Sequence, residues 1–145
     1  MEGPLASGPP PGAPGFRIRA GVDIVPVARI AGLGPAGREP DRIFTRGELS
    51  YCLGKPREDE HLAARFAAKE AVFKAIGTGW SEGVRWTDVE IAAGERGRPV
   101  VRLDGELAAH AGREGVVDVD VSLSHTPELA IAYAVVVLYS GGSQL

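Results

Sequence analysis

From Arg65 to Gly79 the chain reads RFAAKEAVFKAIGTG, which is apolar nearly all the way round at about 100° per residue. Leu62, Phe66, Phe73 and Ile76 line one side, and Ala64, Ala67, Ala68, Ala71, Val72 and Ala75 cover most of the rest. A helix with no wide polar face is a buried one. Its four charges form two i, i+4 pairs, Arg65 with Lys69 and Glu70 with Lys74. Such pairs are either ordinary surface stripes, Glu70–Lys74 being the favourable orientation and worth about 0.3–0.5 kcal/mol, or charges set among small Ala side chains where a large anion can approach. Gly77-Thr78-Gly79 ends the helix with a flexible terminator.

Upstream, FRIRAGVDIV at 16–25 alternates apolar and polar, then turns continuously apolar around Asp23, as a strand entering a core does. Pro26 suits a helix first turn, with Val27, Ile30 and Leu33 facing inward, until GLGPAGREP breaks the regularity. A second short helix starts at Thr45, where Glu48 three residues later predicts a capping box. GKPREDE at 54–60 reads as a loop. Downstream the period changes to two: VRWTDVEIAA, the turn GERG and RPVVRLDG make a hairpin. ELAAHAGREG is a short helix closed by glycine. In VVDVDVSLSH, Val117, Val119, Val121 and Leu123 share one face, with Asp118, Asp120, Ser122 and Ser124 on the other. LAIAYAVVVLY reads as a last strand buried on both faces. Helices early and strands late predict an α+β fold with an antiparallel sheet packed against helices.

Residues 1–15 are Pro/Gly-rich with almost nothing to bury, so they read as a disordered leader. Residues 16–140 form one domain, and 141–145 a frayed tail. A net charge of −3 excludes general nucleic-acid binding. The single Cys52 excludes an internal disulfide, and neither a membrane helix nor a signal-peptide pattern is present. The expectation is a cytoplasmic protein.

Three places concentrate unusual polar groups: Asp23 inside an apolar strand, the Glu70/Lys74 stripe, and the turn at Ser124–Thr126. Asp23 is either a strand-end acid capping the next helix or half of a sparse Mg²⁺ site, which needs only one or two protein acids plus substrate phosphates and water. Lys74 would add a compact positive charge for those phosphates. His125 is a candidate binding group or a turn histidine satisfied by backbone. GTGWSEG follows a helix, which is the wrong context for a dinucleotide loop. Ser122, Ser124 and His125 crowd one turn and make no Ser–His–Asp triad.

GVDIV at 21–25 with Arg29-Ile30, RIFTRGELSYC at 42–52, ARFAAKEAVFKAIGTG at 64–79, WTDVEI at 86–91, GRPVV at 97–101 and VSLSHTPELAIAYAVV at 121–136 together resemble the holo-acyl-carrier-protein synthases, the short single-domain phosphopantetheinyl transferases. The resemblance implies transfer of 4′-phosphopantetheine from coenzyme A to a serine of an apo acyl carrier protein, releasing adenosine 3′,5′-bisphosphate. It implies Asp23 and Glu70 as Mg²⁺ ligands and Lys74 as the diphosphate contact. Arg65, Gly77, Thr78, Gly79 and His125 fall in the coenzyme A nucleotide pocket. Arg29, Arg38, Arg42 and Arg46 are left to dock an acidic carrier, and the base is left between Glu70 and a water on the metal. A homotrimer with sites between subunits is implied as well. Two rivals are a non-catalytic binder of carrier or coenzyme A, and a Mg²⁺ enzyme that hydrolyses a nucleotide diphosphate. The joint presence of Asp23, Glu70 and Lys74 disfavours the first, and the lack of a dense acidic cluster disfavours the second.

Overall fold

The computed structural model describes residue 3 and residues 13–33, 42–77 and 83–141. Most of the leader, Arg38, Thr78, Gly79 and the last four residues lie outside the described ones. Strand β1 (Gly15–Pro26) runs into a one-turn helix α1 (Val27–Ala31), whose Val27 and Ile30 are buried as expected. Helix α2 (Arg46–Cys52) carries the predicted capping box: the Thr45 hydroxyl accepts from the Glu48 N–H, and the Glu48 carboxylate accepts from the Thr45 N–H at 2.8 Å. The long helix α3 (Glu58–Ile76) follows, then a 3-10 turn at Trp86–Asp88 and the hairpin β2 (Val89–Ala93) and β3 (Pro99–Leu103). Helix α4 (Gly105–Glu114), β4 (Val116–His125) and β5 (Leu129–Ser140) complete the chain. The α+β class is as the sequence predicts.

The main sheet is antiparallel with order β1-β5-β4, and α3 lies across one face of it. Ala130, Ala132, Ala134, Val136 and Leu138 of β5 point at the helix and are buried. Their partners on β1 are Val25, Asp23, Gly21, Arg19 and Arg17, so these share the helix-facing side. Gly21 is where the two layers come closest. A Cβ there would sit 2.7 Å from the Ala75 nitrogen and closer still to the Ala71 carbonyl oxygen, so only glycine admits the contact. The Ala-rich surface of α3 makes the close approach possible, and it brings Asp23 level with the last turns of the helix.

Four expectations are corrected. The loop read at 54–60 ends early, because Glu58, Asp59 and Glu60 already form the first turn of α3, where acids favour the positive end of the helix dipole. Trp86 does not lie in a strand: the 3-10 turn carries it between Phe66 and Phe73, with ring centroids at 5.0 and 5.7 Å. A bulge between Val116 and Asp118 drops Val117 out of the alternation and leaves it exposed. Strand β5 is buried on one face only, since a single sheet has one helix layer. On the other face Ile131 and Tyr133 stand exposed beside Val22 and Ile24 of β1, which continue into Ile18 and Phe16, 72% and 66% exposed.

Candidate active site

Because α3 lies on β1 at Gly21, residues 51 apart in sequence meet. The Lys74 ammonium donates to Asp23 Oδ1 and to the Val22 carbonyl oxygen, both at 3.0 Å. Asp23 therefore does not cap α1, whose N-cap has no side-chain hydrogen bond. Its side chain is 17% exposed against 52% for that of Lys74, so the acid is shielded while the ammonium reaches toward solvent. Glu70, one helical turn before Lys74, completes the group. Its carboxyl is pushed above the ordinary carboxylate range, first by burial and then by the negative charge of Asp23, with Lys74 and Arg29 pulling the other way. A half-buried carboxyl raised in this way beside a second acid is one whose ionised form a cation would favour. Among the described residues no group of three or more metal-ligating side chains occurs. A cation held here would thus take the rest of its shell from substrate and water.

Arg65 and His125 belong to a second cluster, toward the other end of α3. The His125 Nδ1 is 3.0 Å from Glu60 Oε1, and Arg57 lies 3.9 Å from the other oxygen of Glu60. His61 packs edge-on to His125 at 5.6 Å and to Tyr51 at 6.2 Å. Tyr51 in turn has the Arg65 guanidinium and the Lys55 ammonium each 4.1 Å from its ring centroid. Arg65 is only 6% exposed, and its Nε has no hydrogen-bond partner among the described residues. Burial, then the positive charges of His125, Arg65 and Lys55, hold the His61 imidazolium below its ordinary value. The Arg65 and Lys55 cations on the Tyr51 ring put positive charge on this side of α3, a setting in which an anion can bind. Glu60 and Glu70 are ten residues apart on α3, about 15 Å along the axis. One chain therefore keeps the two clusters apart.

Gly77 closes α3 in the left-handed conformation at φ 80°, with its N–H bonded to the Phe73 carbonyl. Arg19 donates to the Ile76 carbonyl at 3.3 Å beside it. The two surface-stripe readings of α3 fail for Arg65 and Lys69, which are buried. Sequence reasoning missed Lys55, Arg57, Tyr51, His61 and Glu60. The one signal was a basic pair just before an acidic run in KPREDE, which spacing alone did not connect to His125.

Two acids and a lysine lie toward one end of α3 and a cluster of basic and aromatic groups toward the other, and comparison with known proteins names the class. The chain belongs to the 4′-phosphopantetheinyl transferase superfamily, whose family model matches residues 19–134. Within that superfamily the similar relatives are holo-acyl-carrier-protein synthases. One from Desulforudis audaxviator is 50% identical over 119 residues, 81% of this chain and 90% of the relative. One from Gloeobacter violaceus is 43% identical over 120 residues, 81% and 90% of the two chains. Among solved structures, the Chronobacterium ammoniagenes ACPS-CoA complex superposes with a TM-score of 0.74 at 29% identity, covering 85% of this chain and 98% of that one. The Bacillus anthracis holo-(acyl-carrier-protein) synthase in complex with CoA (3′,5′-ADP) superposes at 0.65 with 32% identity, covering 83% and 96%.

Proposed function

We propose that Asp23, Glu70 and Lys74 carry this enzyme's reaction, the transfer of 4′-phosphopantetheine from coenzyme A to a serine of an apo acyl carrier protein. The observation that carries the assignment is the meeting of Asp23 and Lys74 at 3.0 Å with half-buried Glu70 beside them. Asp23 and Glu70 fit Mg²⁺, because burial first and the charge of Asp23 second raise the Glu70 carboxyl, a cost that a bound cation would offset. Mg²⁺ bound there supplies charge to offset the negative charge that grows on the leaving phosphate. Lys74 supplies the same from the protein side: its half-exposed ammonium is a compact donor that can turn from Asp23 to a diphosphate oxygen. Gly77 ends that helix in the left-handed conformation without a Cβ, and Thr78 and Gly79 follow it in the sequence.

Arg65 and His125, joined by Arg57 and Lys55, take the nucleotide end of coenzyme A. The partnerless Arg65 Nε and the positive surroundings of His61 support this. The two clusters lie too far apart on one chain for a single diphosphate and its nearby nucleotide to be served by adjacent groups. A site shared between copies brings His125 of one to the acids of the next, and the apolar outer face of β1 and β5 offers a surface for such an assembly. A homotrimer satisfies both. Arg29, whose charge reaches Glu70, sits at the margin where an acidic carrier would dock, with Arg42 and Arg46 nearby in sequence.

The test is direct. Asp23→Ala and Glu70→Ala are incubated with coenzyme A, Mg²⁺ and an apo carrier protein, and the phosphopantetheine adduct is followed by mass spectrometry. Both variants are expected to lose transfer while keeping the wild-type circular dichroism spectrum. Near-normal turnover in either would remove that residue from the site.

A further inference from the structure

Helix α3 is an unusually smooth object. Ala63, Ala64, Ala67, Ala68, Ala71 and Ala75 are all buried, so much of its contact surface is made of methyl groups. Burial of methyl groups is non-directional and roughly proportional to area. Over that surface it fixes how close the helix lies more than how far it is turned about its own axis, which leaves the angle to Phe66 and Phe73 packed on Trp86 and to polar bonds. Yet Glu70 and Lys74 act from this helix, and their aim depends on that angle. At a side-chain radius of about 5–6 Å, a rotation of roughly 10° moves a carboxylate by about 1 Å. Misplacement on that scale costs transfer reactions about 10²-fold.

Glu60 and Lys74 bond from the rims of α3 to His125 and to Asp23 and Val22, but among the described residues the fully buried directional bonds of the helix side chains come from Lys69. Lys69, fully buried and adjacent to Glu70, donates to Glu48 Oε1 at 2.6 Å and to the Val89 carbonyl oxygen. Glu48 is 1% exposed and has every bond it makes directed to a fixed group. Its Oε1 also accepts the Thr45 N–H at 2.8 Å, and its Oε2 accepts the Ile91 N–H at 2.9 Å. The Glu48–Lys69 pair thereby ties the start of α2, and β2 at Val89 and Ile91, to a single point on α3. Consecutive helical residues are about 100° apart, so fixing Lys69 toward β2 fixes Glu70 a quarter-turn away and Lys74 about 140° away, facing β1.

We propose that Glu48 and Lys69 are positioning residues that set the rotation of α3, and so the aim of Glu70 and Lys74 at the reacting phosphate. Neither touches substrate. The proposal rests on the assignment of Glu70 and Lys74 made above. It explains why a buried charge pair is placed where a Leu–Met contact would fill the space: an apolar pair holds the helix down as firmly, but gives it no preferred angle.

The experiment compares wild type with Lys69→Met, Glu48→Gln and the double variant Glu48→Leu/Lys69→Met. Melting temperature, kcat, and KM for coenzyme A are read for each. The single variants are expected to melt lower and to lose at least tenfold in kcat, with KM for coenzyme A within about threefold of wild type. The double variant is expected to recover the melting temperature while kcat stays at least tenfold down. Recovery of kcat together with stability would show a merely structural pair and overturn the proposal. So would single variants with normal kcat. If the double variant does not fold, Glu48→Gln is judged against Leu107→Val, which loosens the core at α4 without touching α3's polar bonds. A kcat loss confined to Glu48→Gln supports positioning, and equal losses overturn it. Glu70→Ala is run alongside: an active Glu70→Ala sinks the site assignment itself, whereas an inactive one beside normal pair variants sinks only this proposal.

Discussion

Replacing Gly21 by alanine tests the junction on which the site depends. The new Cβ would lie 2.7 Å from the Ala75 nitrogen and nearer still to the Ala71 carbonyl oxygen, whereas real Cβ contacts essentially never fall under 3.0 Å. Both obstacles are helix backbone, so no rotamer change relieves them. Strand and helix must separate by about 1 Å to restore contact distances. Overpacking of this kind costs about 1–3 kcal/mol. Taking 2 kcal/mol and roughly 4 °C per kcal/mol for a domain of this size, the melting temperature should fall by about 8 °C. Activity should fall further than stability accounts for, because the same 1 Å opens the bond between Asp23 and Lys74; about 10²-fold in kcat is expected. The assay is turnover of apo carrier protein at a temperature well below both melting points, so that unfolded enzyme does not enter the rate. Full turnover with an unchanged melting temperature would refute the reasoning, since it would mean the layers are not held this close.

The raised Glu70 carboxyl makes its ionisation a cost of folding. That stability is fully present below the ordinary value of 4.5 and is lost as pH rises through the higher folded value. Glu70→Gln without Mg²⁺ should therefore melt above wild type near neutral pH, with the gap narrowing as pH falls through the raised folded value and closed below about 4.5; a gap independent of pH would contradict the cause given. Mixing inactive Asp23→Ala chains with inactive His125→Ala chains should restore part of the activity if a site takes one cluster from each of two copies, and no recovery despite demonstrated subunit exchange would remove the shared site. Charge reversal at Arg29 should raise KM for the carrier protein more than KM for coenzyme A, and equal changes would place Arg29 in the nucleotide pocket instead.

The sequence carried much of this arrangement for identifiable reasons. The capping box at Thr45 and Glu48 is a three-residue pattern, and the Ala-rich helix announces its burial residue by residue. Asp23 stood out because an acid inside GVDIV contradicts its surroundings. What stayed hidden depends on contacts at long separation. Glu48 satisfied a local motif completely, so nothing marked it as the counter-charge of Lys69, 21 residues on. Glu60 read as one acid in a polar loop, and its meeting with His125, 65 residues away, is set by sheet pairing. The bulge at Val116/Asp118 leaves no trace in a sequence that alternates without interruption. Strand β5 looked doubly buried because its apolar pattern is right for two covered faces, and one chain supplies only one cover.

That uncovered face has a consequence for how the enzyme would behave in quantity. Phe16, Ile18, Val22, Ile24, Ile131 and Tyr133 are exposed on a lone chain, so each copy that pairs away such a surface gains stability by mass action. In the proposed assembly, folding and association draw on one reservoir of apolar area. Dilution would lower the melting temperature and the specific activity together, although no bond inside the chain changes. A cell making too little of the protein would have chains that are less stable as well as fewer, and the output of holo carrier protein would fall more steeply than the amount of enzyme.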